Sequence, residues 1–266
     1  MTVRGRVRSR PLAGKRIVIT RARGQAGRFR RLLEKAGAEV LEIPTIRIEQ
    51  PDSWQPLDGA IAEIEAFRWI IFTSVNGVKS FQRRLGESGK DFRALRRARV
   101  AAIGPATAAA LQQRGVSPEL VPDEYRAEGL LERLRELIRA GDRVLLPRAA
   151  QARDLLVTEL QRLGARVSEV AAYRTVPASE GAETLRRALE AGGVDVVTFT
   201  SSSTVRHFAG VLSEPERRAL LKDVAVACIG PITRDTAAEF GLRTRIMPSE
   251  YTIPALTRAI ISHFSK

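Results

Sequence analysis

Apolar and polar positions along this chain fall into two alternating rhythms. Short aliphatic runs bounded by charged or turn residues include "RIVIT" from Arg16, Val40–Ile43, "WIIFTS" from Trp69, "VAAI" from Val100, "RVLLP" from Arg143, "VVTFTS" from Val196 and "VACI" from Val226. Runs this short and this apolar predict strands buried on both faces. Between them apolar residues recur at helical spacing. Phe29, Leu32, Leu33 and Ala36 form one such stripe, which Gly37 ends, and Val78, Phe81 and Leu85 form another. Strand–helix alternation predicts an α/β protein whose parallel sheets are covered by helices on both sides.

The pattern is written twice. "GKRIVITRA" from Gly14 matches "GDRVLLPRA" from Gly141, an offset of 127 residues. The same offset relates "LEKAGAEVLEI" (33–43) to "LQRLGARVSEV" (160–170) and "WIIFTSVNGV" (69–78) to "VVTFTSSSTV" (196–205). At an offset of 126, "VAAIGPAT" (100–107) matches "VACIGPIT" (226–233), and "VPDEYRAEGL" matches "MPSEYTIPAL". Blocks in one order at a nearly constant offset are two copies of one unit. Each copy has the size of a flavodoxin-like, doubly wound domain.

Composition narrows the partner. The 266 residues are 44% hydrophobic, enough to bury a core. The net charge of +14, with Lys+Arg 44 against Asp+Glu 30, favours anions. Only six of those cations are Lys, and Arg suits bidentate carboxylate or phosphate recognition. Lone Cys228 rules out an internal disulfide and, inside an apolar strand, reads as a small hydrophobe. Asn76 is the only Asn, a depletion that hints at heat adaptation. No apolar stretch is long enough to span a membrane, and the basic first thirteen residues lack the apolar segment of a secretory signal. A cytoplasmic protein is expected.

In doubly wound sheets ligands bind beyond the carboxyl ends of the strands. That rule selects Arg21 in "ITRARG" and Arg148 in "PRAAQ", Thr73, Ser74 and Asn76 after one strand, and Thr200, Ser201, Ser202 and Ser203 after its copy. It also selects Gly104 and Thr107 in one "IGP" turn and Gly230 and Thr233 in the other. Ser74 and Ser201 suit N-caps, and Pro105 and Pro231 suit first helical positions. Helix starts present free N–H groups to an anion. Each feature also serves a plain turn; their convergence in a basic protein points to a multiply anionic ligand. There is no P-loop, no G-x-G-x-x-G after a strand, no His or Cys at metal-ligand spacing, and no nucleophile–His pair. Neither metal nor cofactor is expected. Tyr125 and Tyr251 are mates in the repeat, each at a helix start, whereas Tyr173 has Ile46 as its mate. Function can be added where duplicates differ.

Taken together, "VITRARGQAGRFRRLLEKAGAEVLEIPTIRIEQP", "IIFTSVNGV", "AIGPATAAAL", "VAAYRTVP", "VTFTSSSTV" and "CIGPITRDTAAEFG" resemble the uroporphyrinogen-III synthase family from about Gly14 onward. Each motif is short; their order and spacing carry the match, and the first thirteen residues lie outside it and look like a basic tail. The resemblance implies two flavodoxin-like domains joined by a two-stranded antiparallel linker. Residues 1–43 and 177–266 would form one domain, 51–169 the other, and 44–50 with 170–176 the linker. It implies a cofactor-independent lyase that cyclises hydroxymethylbilane, a linear tetrapyrrole with eight carboxylates, with loss of water and inversion of ring D. Tyr173 matches the family's cleft tyrosine and would assist departure of the hydroxyl. Arg21, Thr73, Ser74, Asn76, Gly104, Thr107, Arg148, Thr200, Ser201, Ser202, Gly230, Thr233 and Tyr251 would bind substrate; Pro105 and Pro231 are not needed by the pattern. A monomer in transient contact with other tetrapyrrole-pathway enzymes is expected. Two rivals remain: a bilobed binding protein for a polyanion without catalysis, and a nucleic-acid binder. The second calls for Arg clustered with aromatics, whereas aromatics are 5% and Arg is scattered; no nucleic-acid or membrane partner is expected.

Overall fold

Among residues 10–265, which a computed structural model describes, ten strands form, seven of them where the apolar runs predict strands. In chain order they are β1 (Arg16–Ile19), β2 (Glu39–Glu42), β3 (Ile46–Glu49), β4 (Trp69–Phe72), β5 (Arg99–Ala102), β6 (Arg143–Ala149), β7 (Arg166–Pro177), β8 (Val196–Phe199), β9 (Ala225–Cys228) and β10 (Thr244–Ile246). They build two five-stranded sheets, in the orders β10-β9-β8-β1-β2 and β3-β7-β6-β4-β5. The described residues divide into two compact units: residues 10–47 together with 176–265, and Ile48–Thr175.

The first unit holds the sheet with β1 at its centre, all of whose pairings are parallel. Alternate side chains leave opposite faces of a strand, and both faces are apolar here. Val18, Val197, Phe199 and Val226 pack on one side, and Ile17, Ile19, Val196 and Ala227 on the other. Phe29 and Leu33 of the helix Gly27–Lys35 cover the second face. That helix ends before Gly37, whose φ of 102° is the left-handed conformation that glycine adopts cheaply. One expectation fails nearby. The thirteen basic-rich leading residues do not all lie outside the fold, because Leu12 is fully buried in this core and donates its N–H to the Ala36 carbonyl at 2.9 Å. Residues 1–9 of that stretch are outside the described part.

In the second unit, β6 pairs in parallel with β7 and β4, and β4 with β5. Ile70, Phe72, Leu145 and Val170 face one cluster; Trp69, Ile71, Val144 and Leu146 face the other. Beyond β5 an isolated parallel bridge, Ala101 to Leu120, stands where the other copy has β10. Duplicate strands thus occupy duplicate places. One difference matters for the site: β7 runs for 12 residues without a break, so the segment equivalent to β2 continues through Tyr173.

Candidate functional site

Tyr173 is directed by an irregularity in its own strand. The pairing of β6 with β7 puts Arg148 opposite Ala171 and then Ala149 opposite Tyr173, a slip of one residue. Ala172 and Tyr173, adjacent in sequence, therefore both join the core cluster that holds Phe72 and Val78, which a regular strand would forbid. The ring is 7% exposed. Its hydroxyl lies 3.0 Å from Ser74 Oγ and is hydrogen-bonded by Asn76.

Ser74 is where sequence placed a cap. It is the N-cap of the helix Val75–Glu87, and its Oγ accepts the Gly77 N–H at 2.9 Å. Tyr173 oxygen thus sits against the first turn of a helix, where the partial positive charge of the N-terminus favours negative charge. Burial pushes the phenol above its ordinary value; the hydrogen bonds from Ser74 and Asn76 pull the other way. Gly77 permits the arrangement, since a Cβ there would lie 2.9 Å from the Pro147 carbonyl oxygen. In the copy, Ser201 caps the helix Ser202–Ala209 through a capping box with Thr204, the mate of Gly77. Its tyrosine is replaced by Ile46. The same turn has been kept as a cap in one unit and linked to a phenol in the other.

The two Gly-Pro turns stay closely alike. Gly104 and Gly230 are extended N-caps of the helices Pro105–Gln112 and Pro231–Glu239. Tyr125 lies over Gly104, where an added Cβ would come 3.0 Å from the Tyr125 Cβ, and Tyr251 lies over Gly230, 3.1 Å from its ring. A side chain at either cap would press on its tyrosine, whereas the extended backbone alone would admit one. Thr107 and Thr233 stand in the first turns at 4% and 5% exposure. Among the described residues neither hydroxyl has a hydrogen-bond partner, so each is available to a ligand. Ser202 Oγ is instead paired with Thr236 Oγ1 at 2.8 Å. Thr73 and Thr200 are half-buried at their turns.

The two arginines chosen by the same rule part company. Arg148 is nearly sealed: it is 3% exposed, and its Nε donates to Glu169 Oε1 at 2.7 Å and its Nη1 to the Arg153 carbonyl at 2.6 Å. Strand β6 extends three residues beyond the equivalent end of β1, carrying Arg148 into the ladder beside β7. Its charge is spent inside the protein. Arg21, past the end of β1, is half-buried with Nε fully enclosed and unbonded, and its Nη2 makes one long bond, 3.4 Å, to Gln25 Oε1. Burial lowers its pKa. Sequence reasoning missed Glu169, although a Glu one strand away from a buried Arg is a recognisable pairing.

Cys228, which has no role in the site, packs as its sequence context implies. Cys228 is fully buried, with burial pushing its thiol up to about 11, far from the thiolate a nucleophile needs. Among the described residues no cluster of His, Cys, Asp or Glu could hold a metal ion, and no helix is long and apolar enough to cross a membrane.

Comparison with known proteins gives a consistent result. A family model described as "Uroporphyrinogen-III synthase HemD" matches residues 27–258. The chain is 38% identical over 254 residues to a uroporphyrinogen-III synthase of Synechococcus elongatus, covering 94% of this chain and 96% of that one. It is 34% identical to a putative uroporphyrinogen-III synthase of Methanothermobacter thermautotrophicus, covering 92% and 96%. Its fold is like that of a mutant uroporphyrinogen III synthase from Thermus thermophilus, with a TM-score of 0.67 at 22% identity over 94% of this chain and 99% of that one.

Proposed function

The chain belongs to the uroporphyrinogen-III synthase family, and on that premise we propose how its residues carry the reaction. The enzyme is a cyclising lyase of tetrapyrrole biosynthesis: hydroxymethylbilane loses water and closes to uroporphyrinogen III with ring D inverted. Loss of the terminal hydroxyl leaves a reactive azafulvene that closes unaided to the wrong isomer. The protein must therefore direct bond formation to the substituted carbon of ring D, through a spiro intermediate. This is catalysis by positioning more than by strong acid or base. Nothing is oxidised or reduced, so the chemistry calls for no redox cofactor, and we propose that it runs without any.

Tyr173 is the proposed proton donor to the departing hydroxyl. The observation that carries this is its hydroxyl held by Ser74 and Asn76 on the first turn of the helix Val75–Glu87. With the Ser74 proton directed at the phenol oxygen, the tyrosine proton is free to face substrate. As it leaves, Ser74, Asn76 and the helix start steady the charge on oxygen. The substrate carboxylates are taken by the Thr107 and Thr233 hydroxyls and by N–H groups at the two Gly-Pro helix starts. Gly104, Gly230, Tyr251 and the turns at Thr73, Thr200, Ser201 and Ser202 shape those positions.

The fold reading goes with this. We take both sheets as flavodoxin-like, supported by the order second-first-third-fourth-fifth of β1, β2, β8, β9 and β10 in one sheet and by the same arrangement of their repeat mates in the other. Residues 44–50 and 170–176 are taken as the antiparallel linker, supported by β3 lying beside β7 and by the Ala178 N–H donating to the Thr45 carbonyl at 3.0 Å.

The test is a pH profile. A proton donor whose pKa is held above the ordinary phenol value of about 10 stays protonated throughout neutral and mildly alkaline solution. The alkaline side of the kcat profile should stay level up to about pH 10. A fall with a midpoint near pH 7 or 8 would remove Tyr173 from this role.

A further inference from the structure

We infer that Arg21 takes up a substrate carboxylate by charge and that its duplicate, Arg148, does not; the inference rests on the synthase reading above. Duplication supplied the same arginine at the end of the first strand of each copy, just past β1 and within the last residues of β6. In the second copy its charge is met within the protein by Glu169. In the first, the residue equivalent to Glu169 is Glu42, whose carboxylate lies 3.6 Å from Arg30 Nη1. Arg30 has Val157 as its mate, so the competitor for that carboxylate exists in one copy only. Strand length acts the same way. β1 stops at Ile19, and Thr20 turns its hydroxyl to the Thr198 carbonyl at 2.7 Å, so Arg21 leaves the ladder that Arg148 stays in.

Arg21 is left as a half-buried cation with no carboxylate partner among the described residues and one donor bond, a long one. A guanidinium has five N–H donors in a planar fork that fits a carboxylate bidentately. Withdrawing the charge from water without an internal anion costs stability, and this cost is recovered when a ligand carboxylate enters. The substrate offers eight of them. A position held at a cost in the free protein, and relieved in its duplicate by Glu169, is a binding position rather than a structural one.

The experiment compares the wild type with Arg21→Gln, Arg21→Lys and Arg148→Gln, reading two quantities. The first is affinity for uroporphyrin III, the oxidised octacarboxylate product, followed by porphyrin fluorescence. The second is the melting temperature of the free protein. Arg21→Gln should weaken porphyrin binding about tenfold with a melting temperature unchanged or raised. Arg21→Lys should recover only part of the affinity, since an ammonium lacks the fork. Arg148→Gln should lower the melting temperature. Unchanged porphyrin binding in Arg21→Gln overturns the inference, and so does a melting temperature that falls as far as in Arg148→Gln. Protection of the wild type by inorganic phosphate equal to that by uroporphyrin III, lost with Arg21, overturns carboxylate as the class. Each arm is read beside the wild-type isomer ratio, so failure of the synthase reading would be seen separately.

Discussion

Replacing Glu169 by Gln should lower folding stability by about 3 kcal/mol. Arg148 is nearly sealed, its Nε donating to Glu169 and its Nη2 lying 2.5 Å from the same oxygen, out of line for a second hydrogen bond. The Arg153 carbonyl takes a further donor but supplies no charge. Removing the carboxylate therefore leaves a buried cation whose strongest partner is gone. The loss falls at the low end of the range for buried pairs because the Glu169 side chain is 37% exposed, letting water replace part of the lost contact. Denaturant unfolding at neutral pH reads the effect as a lower midpoint with an unchanged slope. Replacing both partners with apolar residues of similar size, Arg148→Met with Glu169→Leu, should recover most of the stability, since neither charge is then buried alone. A loss below about 1 kcal/mol for the single change would show the pair to be a surface ion pair in effect.

Replacing Tyr173 by Phe should reduce kcat about tenfold while leaving the protein folded. General acids near their working pKa contribute roughly a hundredfold or more. A phenol held above its usual pKa is a poorer donor, so the loss is smaller. The ring, which supplies the packing against the core around Phe72 and Val78, is retained. Ser74 keeps the Gly77 N–H and remains a cap. Only the bonds to Ser74 and Asn76 go, a cost of about 1 kcal/mol. Steady-state rates with hydroxymethylbilane generated in place, alongside a melting curve, separate these quantities. Full activity in the variant would reject the donor role, and a collapsed melting curve would reassign Tyr173 to the core.

What could be read from sequence follows the range of the interactions. The duplicated strands, the caps at Ser74 and Ser201 and the glycines of both "IGP" turns depend on neighbours a few residues apart, and periodicity reports those. The partner of Tyr173 is not of that kind: Ser74 is 99 residues away and meets it only because β7 slips by one residue beside β6. The split between Arg21 and Arg148 was equally hidden. Two copies of one motif read alike until the length of the strand carrying each is known. Leu12 reads as part of a basic tail because its neighbours are charged, yet a single leucine among them is enough to dock on the core.

The most direct test of the account is the isomer produced. Hydroxymethylbilane generated in place is given to the purified protein, the products are oxidised, and uroporphyrins I and III are separated against a control without enzyme. Predominance of isomer III is the predicted result. Isomer I alone, from protein shown to be folded, would contradict the account and leave a duplicated anion-binding fold without this chemistry.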